Sequence, residues 1–215
     1  MFGPKKPKTS TPRRTQEERR RETRRRLIDA TIAVIAERGI AHTATADITS
    51  RAGVTWGAAQ HLFGSKDELL RQVVEEVSND LIAELDTVAR WPAVLKARAR
   101  AVVEAMWSIC GSPGFLAMMD VIRGTRVEPD LHPKIVADQA RVQARIEKLW
   151  LKIFADTRAS RRAILDTCNL TYLSLIALAA RKNYLYPDTD TEAVRDAVAK
   201  AAAALIAPAG KTQRS

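Results

Sequence analysis

Apolar residues recur at three- and four-residue intervals along most of the chain, and no stretch alternates strictly with polar residues over a strand's length. Leu27, Thr31, Val34 and Ile35 share one stripe, flanked by Ile28 and Ile32, which predicts a helix over about 19–38 ended by Gly39. A short helix fits 45–52, with Thr43 or Thr45 as its cap and Asp47 in its first turn. Gly53 and Val54 form a tight turn into a third helix over 55–63. Gly64 and Ser65 break it, and Ser65 caps a fourth helix reaching about residue 90, with Asp67 and Glu68 in its first turn. Beyond, Pro92 opens a helix to about 110, Gly111 to Gly114 stop it, and a short helix covers 115–123. A loop holds Pro129, His132 and Pro133, and long helices follow over about 134–156, 159–182 and 191–207. The pattern predicts an all-α fold of about nine helices with no internal repeat.

Charge changes this picture at one end. The chain of 215 residues carries a formal net charge of +10. Eleven Lys and Arg against three Glu fall within the first 26 residues, so +8 of that charge sits there and the remainder is close to neutral. A local basic segment points to a local polyanionic partner, nucleic acid before membrane. Residues 1–16 combine Pro4, Pro7 and Pro12 with Lys5, Lys6, Lys8, Arg13 and Arg14, the composition of a disordered basic arm. The tail 208–215 is polar and reads as flexible.

Other chemistry is sparse. Cys110 and Cys168 lie in apolar helical stretches and read as buried free thiols. His42, His61 and His132 lack ligand spacing, and no nucleophile–base set, metal cluster or phosphate loop is present, which argues against an enzyme and calls for no cofactor. No signal-peptide layout is found, and the apolar stretch 170–180 is short of the roughly 20 residues of a membrane span. The expected location is the cytoplasm.

Two short helices joined at Gly53 make a helix-turn-helix corner, common by itself. The segment from Ala52 to Leu70, with Ala52-Gly53-Val54-Thr55, Gly57, Phe63, Lys66 and Leu69 in register and Asp47-Ile48 upstream, is far more specific. It resembles the headpiece of the TetR family of bacterial regulators over about residues 20–70. The resemblance implies a DNA-binding headpiece over 17–70 and an all-helical regulatory domain over 71–207. It places Thr55, Trp56, Ala58 and Gln60 toward base edges and Thr45, His61 and Lys66 at the backbone, with Gly57 permitting close approach and Arg24 among the arginines that start the first helix near phosphates. Trp56 has a second reading, packing between the first and fourth helices. The chain departs from the family pattern at Gln60, usually aromatic, at Ala44, often Thr, and at Ala46, often basic. The contact set is therefore unusual, and an operator cannot be borrowed from relatives. The arm reads either as a solvated charge run or as an extension along the minor groove.

The second domain carries two features. The helix over 159–182 is apolar nearly all round, with Leu170, Leu173 and Ala177 opposite Ile164, Cys168 and Leu175. Beside it, the helix over 191–207 bears Val194, Ala197, Val198, Ala201 and Leu205. Such faces need cover, and pairing with a second copy yields a four-helix homodimer interface, against ordinary intrachain packing. The middle of the domain is rich in flexible and aromatic residues: Trp107, Phe115, Met118, Met119, Trp150, Phe154 and Tyr172 as candidate linings of a ligand pocket, with Arg123, Asn169 and Tyr172 as its polar groups, against simple core. Together these predict a homodimeric, ligand-responsive repressor on a palindromic double-stranded DNA operator, released by a small, mainly apolar or aromatic effector. A sequence-indifferent architectural DNA-binding protein is the alternative. A partner-binding helical protein that no longer reads DNA is a further one.

Overall fold

The computed structural model describes residues 15–88 and 93–207. The arm through Arg14, the expected helix start at Pro92 and the tail from Pro208 lie outside the described residues. Among them are nine α-helices and no strand: α1 (Gln16–Arg38), α2 (Thr45–Ala52), α3 (Trp56–Phe63), α4 (Lys66–Val88), α5 (Leu95–Cys110), α6 (Pro113–Gly124), α7 (His132–Ile153), α8 (Arg161–Ala180) and α9 (Thr191–Ile206). A 3-10 turn covers Ile40–His42, and a π-turn, Arg181–Leu185, extends α8.

Local chemistry explains the helix ends. α1 begins three residues before its expected start because Thr15 and Glu18 form a capping box: the Glu18 amide donates to Thr15 Oγ1 at 3.2 Å and the Thr15 amide to Glu18 Oε2 at 2.7 Å. Ser65 caps α4 as expected, accepting from the Glu68 amide at 3.1 Å. α2 departs from expectation. Its N-cap position is Ala44, with no side-chain cap, and Thr43 Oγ1 instead donates back to the Gly39 carbonyl at 2.8 Å. Pro113 sits in the first turn of α6 behind the Ser112 cap, and Pro133 in the first turn of α7. Both prolines start helices where the sequence reading had a stop and a loop, because a missing amide costs nothing in a turn whose amides have no intrahelical partner.

Most buried side chains gather in two large clusters, with a small third of Ala99, Ala202 and Ala203 where α5 meets α9. The smaller of the two large ones joins α1 to α4 around Leu27, Ile48, Ala59, Phe63, Leu69 and Val73. The larger runs from Ile35 and Val74 through α5, α6, α7 and α8 to Ile206 and contains Trp150, Phe154 and Phe115, all essentially without solvent contact. Each large apolar side chain buried this way contributes about 1.5–3 kcal/mol. α4 belongs to both clusters. α1 rests on α6, where Gly114 lies beside Ile32 and Val77, and the 3-10 turn rests on Gly124 at the end of the same helix. The N-terminal helices are thus seated on two body helices, α4 and α6.

Arg98 is a buried charge within the body. Its guanidinium pairs with both Asp156 oxygens and donates to the Ile153 carbonyl at 2.8 Å and the Ala93 carbonyl at 3.1 Å, fastening the start of α5 to the end of α7. These partners satisfy a guanidinium that would otherwise be costly to bury.

Candidate functional site

α2 and α3 meet at Gly53, whose φ of 63° and ψ of 41° are left-handed, a conformation glycine adopts without steric cost. Arg26 fixes this corner: its guanidinium donates to the Ala52 carbonyl and reaches the Gly53 carbonyl at 3.5 Å. A Cβ on Gly53 would fall 2.8 Å from that guanidinium. Nothing in the sequence singles out Arg26 from its arginine neighbours; only the fold brings it to the turn.

α3 turns two of its residues inward, Ala59 and Phe63. Thr55, Gly57, Ala58, Gln60 and His61 are exposed on its outer side, and a Cβ on Gly57 would meet only Thr55 Oγ1, at 4.0 Å. Thr55 caps the helix, its hydroxyl accepting from the Ala58 amide at 3.2 Å. Trp56 is half-buried and packs on the cluster that joins α1 to α4, and the rest of its surface stays open to solvent. Thr45 is half-buried in the first turn of α2, and its carbonyl accepts from Thr49 Oγ1 at 3.0 Å.

Two expected contact residues also hold the frame. Lys66 Nζ donates to the Thr43 carbonyl at 2.6 Å, tying α4 to the segment before α2. Arg24 donates to Gln72 Oε1 and lies over the Phe63 ring, 4.9 Å from its centroid, joining α1, α3 and α4. Arg51 pairs with Glu37 at 2.6 Å and Arg38 with Asp47 at 2.8 Å, bracing α1 against α2. The Arg51 hydrogen bond holds the Glu37 carboxyl below its usual range. Arg19, Arg20, Arg21 and Arg25 remain exposed along the first half of α1. The arrangement is a braced corner presenting one polar helix face, with cations beside it.

In the body, a cavity of about 380 Å³ opens between α4, α6, α7 and α8. Val77, Leu81, Phe115, Met118 and Ile146 supply its apolar walls; Ser78, Gln139, Gln143 and Tyr172 supply polar groups. Of the residues expected from sequence, Phe115, Met118 and Tyr172 line it, and Asn169 sits next to it, its oxygen accepting from Gln143 Nε2 at 3.2 Å. Phe115 and Tyr172 meet edge to face, ring centroids 6.4 Å apart. Burial pushes the Tyr172 hydroxyl up to about 12. The other expected lining residues stand elsewhere. Trp150 and Phe154 are fully buried against each other at 5.4 Å. Trp107 packs under the Arg195 guanidinium, 5.6 Å from its ring centroid. Met119 and Arg123 line a separate cleft of about 160 Å³ between α6 and α8, where Arg123 is exposed and paired with Asp120 at 2.8 Å. Composition marked a region rich in large residues, but only their rotation about each helix decides which of them meet the void. Ser78, Gln139 and Gln143, polar residues on otherwise mixed helix faces, were not anticipated.

α8 and α9 pack together and keep an apolar outer side. Ile164, Cys168, Leu175 and Ala179 are buried, whereas Leu170, Leu173 and Leu205 stay about half-exposed or more, with Val194 beside them. The segment Arg161–Leu185 is by length and composition apolar enough to cross a membrane, but its inner side belongs to the helical core. The remaining apolar side faces outward.

Comparison with known proteins agrees with this geometry. Residues 27–73 match the family described as "Bacterial regulatory proteins, tetR family". The chain is similar to the HTH-type transcriptional regulator BetI of Burkholderia ambifaria, 30% identical over 189 residues, covering 72% of this chain and 96% of the relative. It is also similar to the HTH-type transcriptional regulator CymR of Pseudomonas putida, 29% identical over 191 residues and covering 87% and 92% of the two chains. Among solved structures, the TetR-like regulator LfrR of Mycobacterium smegmatis, crystallised in complex with proflavine, superposes with a TM-score of 0.59 at 19% identity over 88% of this chain and 99% of its own. The TetR-family regulator PfmR of Thermus thermophilus gives 0.60 at 20% identity, over 84% and 96%. The structural likenesses speak for the fold.

Proposed function

The chain belongs to the TetR family of bacterial transcriptional regulators, and from that premise we propose a homodimeric, sequence-specific repressor that a small, mainly apolar effector releases from a palindromic operator. Proteins of this family are DNA-binding regulators, not enzymes. The observation that carries the reading is the outward face of α3: exposed, polar, free of obstruction at Gly57, and held by a braced corner.

In this reading the headpiece, residues 17–70, enters the major groove through α3. Thr55, Ala58, Gln60 and the free edge of Trp56 meet base edges; Gln60 suits adenine, and the indole or Ala58 suits a thymine methyl. Thr45 and His61 meet phosphates. Arg24 and Lys66 keep α3 and α4 in register and retain further N–H donors for a phosphate. Two headpieces must stand about 34–36 Å apart to reach successive grooves. The exposed apolar side of α8 and α9 supports pairing of two copies of the body, residues 71–207.

The cavity supports the effector role by its walls. α4 begins in the headpiece, and α6 supports α1 and the 3-10 turn. A ligand that favours a different spacing of these walls shifts the dimer away from its DNA-bound state, by no more than its difference in affinity for the two. LfrR, which has this fold, was crystallised in complex with proflavine; from its own cavity walls the reading assigns this chain an apolar or aromatic effector, and a place of action in the cytoplasm. Selection of bound duplexes from a random library by the full-length protein tests the proposal. Enrichment of an inverted repeat is expected. Binding without enrichment would replace it with a sequence-indifferent DNA binder.

A further inference from the structure

We propose that the cavity between α4, α6, α7 and α8 takes an uncharged ligand: a ring system carrying one amide-, ester- or hydroxyl-type group that pairs with Tyr172 and Gln139. The inference rests on the effector reading above and narrows it to a chemical class.

Every polar side chain lining the cavity is neutral. Ser78 is already engaged, its hydroxyl donating to the Val74 carbonyl at 2.7 Å and accepting from Gln139 Nε2 at 3.1 Å. Gln143 Nε2 is engaged with Glu147 Oε1 at 3.1 Å and with Asn169. Among the described residues, the Tyr172 hydroxyl and the two glutamine carbonyl oxygens are left without a hydrogen-bond partner. The lining therefore includes an unpaired donor and unpaired acceptors, the complement of a group that both accepts and donates.

A carboxylate fits this set poorly. No charged side chain lines the cavity, and the nearest charges along α7 are of both signs, with Arg141 held by Asp138 and Arg145 by the Asn79 oxygen at 3.2 Å. Asp138 is held by Arg71 at 2.6 Å and by Arg141; Glu147 faces Gln143. An anion entering here would give up water, find no cation in the lining and meet two glutamine carbonyl oxygens. A cation gains little more. Asp138 is already doubly paired, and the Phe115 and Tyr172 rings are committed edge to face with one another. An uncharged group keeps the ring burial and satisfies Tyr172 and Gln139. Its binding is insensitive to pH in the neutral range, since a desolvated phenol stays protonated.

The test measures binding of four probes of one shape to the full-length protein by equilibrium dialysis at pH 7.5: naphthalene, 2-naphthamide, 2-naphthoate and (2-naphthylmethyl)ammonium. The amide is expected to bind about 100-fold more tightly than the carboxylate and at least about tenfold more tightly than the ammonium. Tyr172→Phe keeps the ring and removes the hydroxyl. It should weaken the amide about tenfold and leave naphthalene unchanged. A charged probe binding as well as the amide, or a Tyr172→Phe variant that treats amide and naphthalene alike, overturns the proposal while the effector cavity stands. Failure of all four to bind overturns both.

Discussion

Gly124→Ala is a small change with a large expected effect, because it strikes the seam between the N-terminal helices and α6, one wall of the cavity. Gly124 ends α6, and a Cβ there falls 2.5 Å from Ile40 Cγ2, with Ile40 Cγ1 and Cβ at 3.4 and 3.5 Å. Carbon atoms pack at about 3.5–4.0 Å, so the first contact is roughly 1 Å too close. The offending methyl is on a β-branched side chain and cannot yield without turning χ1 out of its well or moving the 3-10 turn. Overpacking of this kind costs about 1–3 kcal/mol. Alanine's helix preference over glycine returns at most about 1 kcal/mol, and less at the last residue of a helix. The net expectation is a loss of about 1–2 kcal/mol, seen as a lower urea midpoint at unchanged slope and a fall in Tm of about 2–8 °C. Ile40→Ala removes the obstacle, so Gly124→Ala introduced on that background should be neutral or stabilising. The non-additivity between the two changes is the quantity to measure. Equal cost of Gly124→Ala on both backgrounds, or stabilisation on the native one, would refute this reasoning.

Asp156, held below its usual carboxylate range by the Arg98 hydrogen bond, stabilises the fold fully above its unfolded pKa of about 3.9, and that contribution disappears as pH falls through the lower folded value. Urea midpoints of the native chain and Asp156→Asn should therefore differ at pH 7, with the gap narrowing as pH falls below about 3.9; a constant gap would contradict this. Cys110 and Cys168 are buried and pushed up to about 12 by desolvation, so a thiol-colour reagent at pH 8 should label them only as fast as the protein opens; immediate labelling of either would place it at the surface. Thr55→Ala removes the α3 cap and should cost about 0.5–2 kcal/mol of stability together with operator affinity, read by unfolding and by DNA anisotropy; unchanged values in both would remove Thr55 from either role. Deleting residues 1–14 should lower the log–log salt slope of DNA binding by about 0.9 for each phosphate the arm neutralises, whereas an unchanged slope would make the arm a solvated run.

Much of the architecture was legible because its signals are local. The stripe from Leu27 to Ile35, the stop at Gly39, the Ser65 cap and the glycine turn at 53 each follow from a few neighbouring residues, and the structure places them there. The misread boundaries have the same origin seen from the wrong side. Ser112-Pro113 and His132-Pro133 look like interruptions in the sequence because proline ends helices, though in a first turn it begins them. The capping box at Thr15 and Glu18 was written in the sequence and outweighed there by the arginines around it. Long-range roles were not legible. Arg26 reaches the corner carbonyls across 26 residues, and Lys66 reaches Thr43 across 23. The cavity gives the same lesson. Phe115 and Met118 line it while Trp150 and Phe154, equally apolar, fill the core, since hydrophobicity marks burial but not the side of a helix on which space is left.

The most direct test of the central claim is a hydroxyl-radical footprint of the full-length protein on the duplex enriched by selection. A homodimer reading DNA through α3 should protect two patches related by a dyad, on one face of the duplex and about 34–36 Å apart, with both weakened by Ala58→Glu on the outer side of that helix. A single patch, or continuous protection unaffected by Ala58→Glu, would contradict the account.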